Sequence, residues 1–135
     1  MALLPLLVGA SPTPPSVEVS VTGLRNTKGQ LLVCLTTNSK AFPDCSQDEG
    51  AVRMAVKASA AASFVVQAPA RGTYAIALVH DENANNRLDK ALFLPKEGFG
   101  FSRNPAITVG PPSFKAASFT VDGETRQAIR MKYML

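Results

Sequence analysis

The sequence predicts an all-β fold, an antiparallel β-sandwich of about seven short strands. Apolar and polar residues alternate along most of the chain, as they do in strands that bury one face. Ten prolines and nine glycines among 135 residues supply many turns and disfavour a long helical bundle. With 46% hydrophobic and 18% charged residues, the composition is typical of a folded chain, not of a disordered or multi-pass membrane protein.

The alternation falls into short segments in which every second residue is apolar. These segments cover residues 17–22, 31–35, 52–57, 64–66, 74–80 and 129–133. Turn-forming residues, including glycine, proline and aspartate, lie between them, at residues 27–29, 69–72, 110–112 and 122–123. Residues 81–112 lack this periodicity, and a long segment of this kind in a small domain is often functional.

The start of the chain predicts targeting, and a single β-sandwich domain is expected to cover residues 17–135. Residues 1–10 form an apolar run that resembles the end of a secretory signal peptide without its basic start. Residues 11–16 are rich in proline and favour an extended tether. The run is too short for a bilayer, which takes roughly 20 residues, so no transmembrane span is expected. We therefore expect a periplasmic or secreted protein; the alternative is an apolar tail without a targeting role.

The two cysteines, Cys34 and Cys45, are predicted to form a disulfide. Cys34 lies in an apolar strand, and Cys45 lies in the turn-rich stretch that follows. Their spacing differs from the C-x-x-C pattern of thiol redox enzymes. A closed loop of about 12 residues would stabilise the fold by roughly 3 kcal/mol. The expected export supports this pairing because disulfides persist outside the cytosol, and two free thiols are the alternative.

Residues 81–89 carry the strongest chemical signal in the sequence. Oxygen-bearing side chains occur at positions 1, 3, 5 and 9 of a stretch that resembles an EF-hand-type calcium loop, in which position 7 supplies a backbone carbonyl. The candidate ligands are Asp81, Asn83, Asn85, Asp89 and the backbone carbonyl of Arg87. Calcium takes about six to eight oxygen ligands, so this spacing predicts calcium as the cofactor.

The loop departs from the EF-hand pattern at its end. Position 12, normally a bidentate glutamate, is Leu92, and the flanking segments are not two helices. Glu97 follows five residues later and is expected to reach back as a ligand. The expected dissociation constant is on the order of 10⁻⁴–10⁻³ M. The alternative is an ion-free turn in which Asp and Asn side chains cap backbone amides.

Three more residues near this loop are candidates for ligand binding. They are His80, Phe99 and Phe101. His80 suggests a general base or a metal ligand, although a packed histidine at the end of a strand is the expected role. The glycines beside Phe99 and Phe101 would bring the two rings together, either exposed as a binding platform or, as we expect, buried at the end of the sandwich.

A longer pattern extends through residues 72–89, 94–102 and 110–114 into a final strand. The pattern resembles a family of exported bacterial proteins, domain of unknown function 2141, from about Val17 to Met131. The resemblance implies an immunoglobulin-like or prealbumin-like β-sandwich and export. It implies no established activity.

The net charge and the residue counts exclude some classes of function. Lys and Arg total 14 against 10 Asp and Glu, and this excess is too mild to indicate nucleic acid. Arg126, Arg130 and Lys132 share one face of the last strand, which is expected to be a solvated face or a protected edge; the alternative is contact with anionic envelope material. A single His excludes a multi-histidine metal centre within the chain.

These observations favour a monomeric, exported module of the cell envelope that binds a partner or has a structural role. Its loop 81–89 would be stabilised by calcium, and its partner would be a polysaccharide or a protein. The first alternative is a carbohydrate- or peptide-binding module that uses residues 95–102. The second is a hydrolase centred on His80, against which the scarcity of histidine and cysteine argues.

Overall fold

Eight β-strands and two short helical segments follow one another along the part of the chain that the structure describes. The computed structural model describes residues 13–84, 97–107 and 110–134. The strands are β1 Ser16–Thr22, β2 Gln30–Thr36, β3 Val52–Lys57, β4 Ser63–Gln67, β5 Gly72–Asp81, β6 Gly98–Phe101, β7 Phe119–Val121 and β8 Glu124–Arg130. A 3₁₀ turn covers Ala58–Ala60, and helix α1 covers Phe114–Ala117. The predicted all-β class is confirmed.

The strands form two sheets that face each other. The smaller sheet has the order β4-β1-β8, and the larger has the order β3-β2-β5-β6, with β7 paired to the start of β5. Neighbouring strands of the larger sheet are antiparallel. In the smaller sheet β1 is antiparallel to β4 and parallel to β8. Because alternation has the same period in both arrangements, the sequence predicts the sandwich but not this parallel pair.

The main core lies between the two sheets. In β1 the valines at positions 17, 19 and 21 are buried and the polar residues between them are exposed, as the alternation predicts. The largest fully buried side chains on the facing strands are Leu31 and Leu35 of β2, and Ile76, Leu78 and His80 of β5. Burial of each aliphatic side chain among them is worth about 1.5–3 kcal/mol, and such burial supplies most of the driving force for the fold.

A second core covers the outer face of the larger sheet. Its buried members are Leu32, Cys34, Phe42, Cys45, Ala75, Ala77, Val79, Phe99, Phe101 and Ala117. Residues 37–51 and helix α1 supply the covering side chains. Strands β2 and β5 are therefore buried on both faces, which explains their nearly continuous apolar sequence.

The predicted disulfide is confirmed. Cys34 of β2 bonds to Cys45, with their Cα atoms 6.4 Å apart. Both cysteines are fully buried in the second core. Nearby, the Thr36 hydroxyl donates to the Asp48 carboxylate, and Arg53 donates to the Cys45 carbonyl at 3.3 Å. These contacts hold residues 37–51 against the sheet.

The end of β8 connects the two sheets. After pairing with β1 as far as Arg130, the chain continues to Lys132, whose backbone exchanges hydrogen bonds of 2.9 and 2.8 Å with Phe99 of β6. The Asn104 side chain covers the β8 edge, because it donates to the Ala128 carbonyl at 3.0 Å and accepts from the Arg130 N–H at 2.9 Å. Residues 131–134, called the C-terminal strap below, thus lie against β6.

Three strands differ from the predicted segments. The sequence did not indicate β6, since all four of its residues are buried and its glycines and phenylalanines give no polar alternation. Strand β7 has only three residues. Strand β8 begins at Glu124, before the predicted segment 129–133, and the alternation continues beyond it into the strap.

The predicted targeting segment 1–10 lies outside the described residues, as does the start of the predicted tether 11–16. Within the described ranges no helix is long and apolar enough to cross a bilayer.

Candidate functional site

One end of the sandwich brings together three of the predicted site residues, His80, Asp81 and Glu97. Strand β5 ends there with His80 and Asp81, and Glu97 directly precedes β6. His80 pairs with Gly98 across the two strands, so Asp81 and Glu97 are brought to adjacent positions at the strand ends. The β1–β2 connection, residues 23–29, and the C-terminal strap meet at the same end.

Asp81 is fully buried where β5 ends. Its Oδ2 accepts a hydrogen bond of 3.0 Å from Nε2 of Gln30. Its backbone carbonyl accepts one of 3.2 Å from the Ala84 N–H, which turns the chain out of the strand. Gly29, at a φ of +65°, packs against the same carbonyl so closely that a Cβ would collide with it. The start of β2 and the connection before it therefore determine the position of Asp81.

Glu82 is ionised, and both of its carboxylate oxygens accept hydrogen bonds. Its Oε2 accepts from Arg25 Nη2 at 2.6 Å and Arg25 Nε at 3.2 Å, and its Oε1 accepts from Asn26 Nδ2 at 2.9 Å. The Asn26 hydrogen bond, followed by the Arg25 hydrogen bond and charge, lowers the pKa of Glu82 below its ordinary value. Glu82 thus anchors the β1–β2 connection to the end of β5 and has its charge balanced by Arg25.

The surroundings of Glu97 shift its pKa in the opposite direction to that of Glu82. Its side chain is only 8% exposed, and its Oε2 has no hydrogen-bond partner among the residues that the structure describes. Burial raises the pKa of Glu97 above its ordinary value, and the negative charges of Asp81 and Glu82 raise it further. A buried polar atom left without a partner costs about 1–3 kcal/mol, and a charged one costs more. The end of the sandwich therefore has an unbalanced carboxylate.

His80 is bonded through both ring nitrogens. Nε2 lies 2.8 Å from the Lys28 carbonyl oxygen, which only accepts, so Nε2 carries a proton. In the neutral ring Nδ1 then accepts from the Tyr133 hydroxyl at 2.7 Å. The ring is fully buried, and neither nitrogen is available to a substrate or a metal ion. This arrangement matches the expected packed histidine and gives no support to a hydrolase centred on His80.

Tyr133 is a site residue that the sequence analysis did not identify. Its hydroxyl bonds to His80 and accepts from the Arg25 backbone N–H at 3.3 Å. The Arg25 guanidinium lies 4.5 Å from the centre of its ring, within the range of a cation–π contact. A Cβ on Gly98 would overlap the same ring, so the ring packs directly on that glycine. The alternation of residues 129–133 placed Tyr133 on the buried side of the last segment, but it gave no sign of these partners.

Of the other predicted calcium ligands, Asn83 is among the described residues. Asn83 is exposed, in contrast to the buried Asp81 and Glu97. Asn85, Arg87 and Asp89 lie outside the described residues. Within residues 13–84, 97–107 and 110–134, no three His, Cys, Asp or Glu side chains form a group that could hold a metal ion. The calcium prediction therefore stays a prediction, based on Asp81, Glu97 and the spacing of the loop.

Phe99 and Phe101 are core residues. They are 8% and 5% exposed, and Phe101 packs edge-on against Phe42 with ring centres 5.9 Å apart. The depression beside them, which Ile107 and Arg130 also line, has a cavity volume of only about 10 Å³. Sites that bury a small molecule usually have roughly 300–1,000 Å³. The described residues thus present no exposed aromatic platform for a sugar or peptide.

Comparison with known proteins places the chain in a family. No curated protein and no solved structure matched it. A family model described as an uncharacterized protein conserved in bacteria, DUF2141, matches residues 19–129. The match extends from within β1 to within β8 and includes Asp81, Glu82 and Glu97. The chain therefore belongs to DUF2141, the domain of unknown function 2141 family.

Proposed function

We propose that this protein is an exported β-sandwich module of the bacterial envelope and that a calcium ion, bound between Asp81 and Glu97, stabilises it. The observation that carries the proposal is the Oε2 atom of Glu97, which is buried beside two other acidic residues and has no partner among the described residues. Either a proton or a cation can remove this imbalance. A proton would leave Glu97 without a role, whereas a cation would make Glu97 a ligand.

The chemistry of the surrounding atoms favours a hard cation. Every acidic or amide group that the sequence places at this end offers oxygen, and calcium prefers oxygen ligands in irregular, flexible arrangements. His80 offers no free nitrogen, which disfavours zinc and other metals that prefer imidazole. Glu82 is already balanced by Arg25, so Asp81 and Glu97 are the carboxylates assigned to the ion. Asn85, the Arg87 carbonyl and Asp89 are further ligands by spacing alone.

Export is supported by two features. The Cys34–Cys45 disulfide is of a kind that persists in oxidising compartments and is rare in the cytosol. The apolar run at residues 1–10 resembles a signal peptide. We assign the module a structural or binding role toward envelope polysaccharide or protein. Extraction of the periplasm from a bacterium that produces the full chain tests this location. Recovery of the oxidised protein in that fraction supports export, and its confinement to the cytosol contradicts export.

Thermal unfolding tests the ion site. The purified protein is unfolded in chelator, in calcium and in magnesium, each at roughly 10 mM, which exceeds the expected dissociation constant. Binding to the folded state alone would stabilise it by about 1.5–3 kcal/mol, equivalent to a rise in Tm of several degrees. Calcium is expected to produce this rise, and magnesium is expected to produce much less.

Two variants locate the effect. Asp81→Asn removes one assigned ligand charge and is expected to abolish the response to calcium. Asp122→Asn is the matched control, because Asp122 is an exposed acid at the other end of the sandwich, paired with Arg71. Equal responses in both variants and the wild type would place the ion elsewhere. No response in the wild type would contradict calcium binding altogether.

A further inference from the structure

We infer that Tyr133 is the positioning residue of the Asp81–Glu97 site, because it contacts the structural neighbour of each carboxylate at this end. The inference rests on the proposed calcium site and adds a residue from the far end of the chain. The contacts of Tyr133 lead to residues beside Asp81 and Glu97. Its effect on the ion therefore passes through three neighbours, His80, Gly98 and Arg25.

The first route leads to Asp81 through His80. The Tyr133 hydroxyl lies 2.7 Å from Nδ1 of His80, whose Nε2 is held at 2.8 Å by the Lys28 carbonyl. Both ring nitrogens are thus fixed, and Asp81 is the next residue in the strand. A shift of the His80 ring would have to move the end of β5, because the ring is fully buried.

The second route leads to Glu97 through Gly98. The Tyr133 ring occupies the space that any side chain at Gly98 would need. Immediately beside this contact, the Lys132 backbone makes two hydrogen bonds with Phe99. The strap therefore holds the first residues of β6, and Glu97 directly precedes them.

The third route leads to Glu82 through Arg25. The Tyr133 ring lies under the Arg25 guanidinium at 4.5 Å, and its hydroxyl accepts from the Arg25 N–H. The same guanidinium pairs with Glu82 at 2.6 Å. Tyr133 thus helps to keep Arg25 on Glu82, the residue whose backbone N–H donates to Glu97.

Outer partners that orient metal ligands typically change metal affinity by about 10–100-fold when they are removed. Tyr133→Ala is therefore expected to weaken calcium binding by about 10-fold or more. Tyr133→Phe keeps the ring over Gly98 and removes only the hydroxyl, so it should weaken binding in the same direction by a smaller factor. The Phe variant also keeps the question answerable if the Ala variant does not fold.

Tyr74→Phe is the matched control. Tyr74 is the other tyrosine in the chain, and its hydroxyl also makes two hydrogen bonds, with the Ala70 carbonyl at 2.7 Å and the Ala70 N–H at 3.3 Å. It lies near the start of β5, away from Asp81. Loss of the Tyr74 hydroxyl should lower Tm in chelator but should not change the calcium affinity.

The experiment is calorimetric titration of calcium chloride into the full chain and these variants, combined with tyrosine fluorescence. The chain has two tyrosines and no tryptophan, so Tyr133 is the only tyrosine that fluoresces in the Tyr74→Phe variant. Its emission is expected to change with calcium at the calorimetric midpoint, whereas the emission of Tyr133→Phe should stay constant. If Tyr133 has only a structural role, its substitution should lower Tm but leave the calcium affinity unchanged, and the emission should not respond to calcium.

The outcomes separate this inference from the proposed function. If the wild type binds calcium and both Tyr133 variants bind with wild-type affinity, the positioning role is wrong and the calcium site stands. If Tyr74→Phe weakens binding as much as Tyr133→Phe does, the effect is a general loss of stability and the inference also fails. If the wild type does not bind calcium, both proposals fail together.

Discussion

Glu82 and Glu97 lie at the same end of the sandwich, and their pKa values are shifted in opposite directions. Hydrogen bonds from Asn26 and Arg25 lower the pKa of Glu82. Burial and the charges of Asp81 and Glu82 raise the pKa of Glu97. The backbone N–H of Glu82 donates to Glu97, so the two residues are in contact although their side chains have different partners. One carboxylate is therefore balanced within the described protein, and the other is left for an external cation or proton.

Glu97→Gln should stabilise the protein in chelator and abolish its response to calcium. The neutral amide removes a buried negative charge that Asp81 and Glu82 repel, a gain of about 1 kcal/mol. The same change removes an assigned ligand. Thermal unfolding at pH 7 in chelator and in calcium measures both effects. Glu124→Gln, at an exposed acid, serves as the control and should behave as the wild type does. A lower Tm for Glu97→Gln in chelator would contradict the unbalanced charge.

Glu82→Gln should change how stability depends on pH. The folded state holds Glu82 at a pKa below its ordinary value of 4.5, so the unfolded state binds more protons in this range. The stabilisation is therefore complete above the unfolded pKa and is lost as pH falls through the folded pKa. Urea unfolding should show the variant less stable by about 0.5–1.5 kcal/mol at pH 7 and closer to the wild type near about pH 3.

The control for Glu82→Gln is Asp122→Asn. The Arg71–Asp122 pair has the same 2.6 Å distance as Arg25–Glu82, but the Asp122 side chain is 74% exposed and the Glu82 side chain is 23% exposed. An exposed pair of this kind contributes about 0–1 kcal/mol. A constant difference between Glu82→Gln and the wild type at all pH values would show that the carboxylate charge has no part in the effect.

Gly98→Ala should loosen the C-terminal strap. The added Cβ would overlap the Tyr133 ring, and overpacking of a buried contact costs about 1–3 kcal/mol. Gly50→Ala is the control, since its nearest neighbour would be Asp48 Oδ1 at 3.8 Å and the cost should stay within about 0.5 kcal/mol. Urea unfolding of Gly98→Ala with and without Tyr133→Ala checks the cause. Additive losses in the double variant would show that the two residues do not compete for this space.

Removal of the disulfide should destabilise the protein. Cys34 and Cys45 are separated by 11 positions, and closure of a loop this size is worth about 2–4 kcal/mol. Urea unfolding of Cys34→Ala/Cys45→Ala measures the loss. The reduced wild type is the comparison, because it lacks the bond but keeps both sulfur atoms and so leaves no cavity. Equal midpoints for the oxidised and reduced wild type would assign the stability of residues 37–51 to packing alone.

The sequence alone indicated the strands that bury one face or are continuously apolar, from β1 to β5. It missed β6 because Gly98–Phe101 is buried throughout and has no polar alternation. It identified Asp81 and Glu97 from their chemistry. It could not identify Tyr133 or Arg25, because their site contacts join residues 53, 57 and 108 positions apart. Composition and local spacing do not determine contacts that depend on how the strap crosses β6.

The most direct test of the calcium site is a titration of the ¹⁵N-labelled protein with calcium, followed by amide chemical shifts. We expect saturable shifts at the amides of Asp81, Glu82, Glu97 and Gly98, with a dissociation constant on the order of 10⁻⁴–10⁻³ M. Amides at the other end of β5, near Gly72, should change little. Shifts centred away from Asp81 and Glu97, or no saturable shifts up to roughly 10 mM calcium, would contradict a calcium site between these two residues.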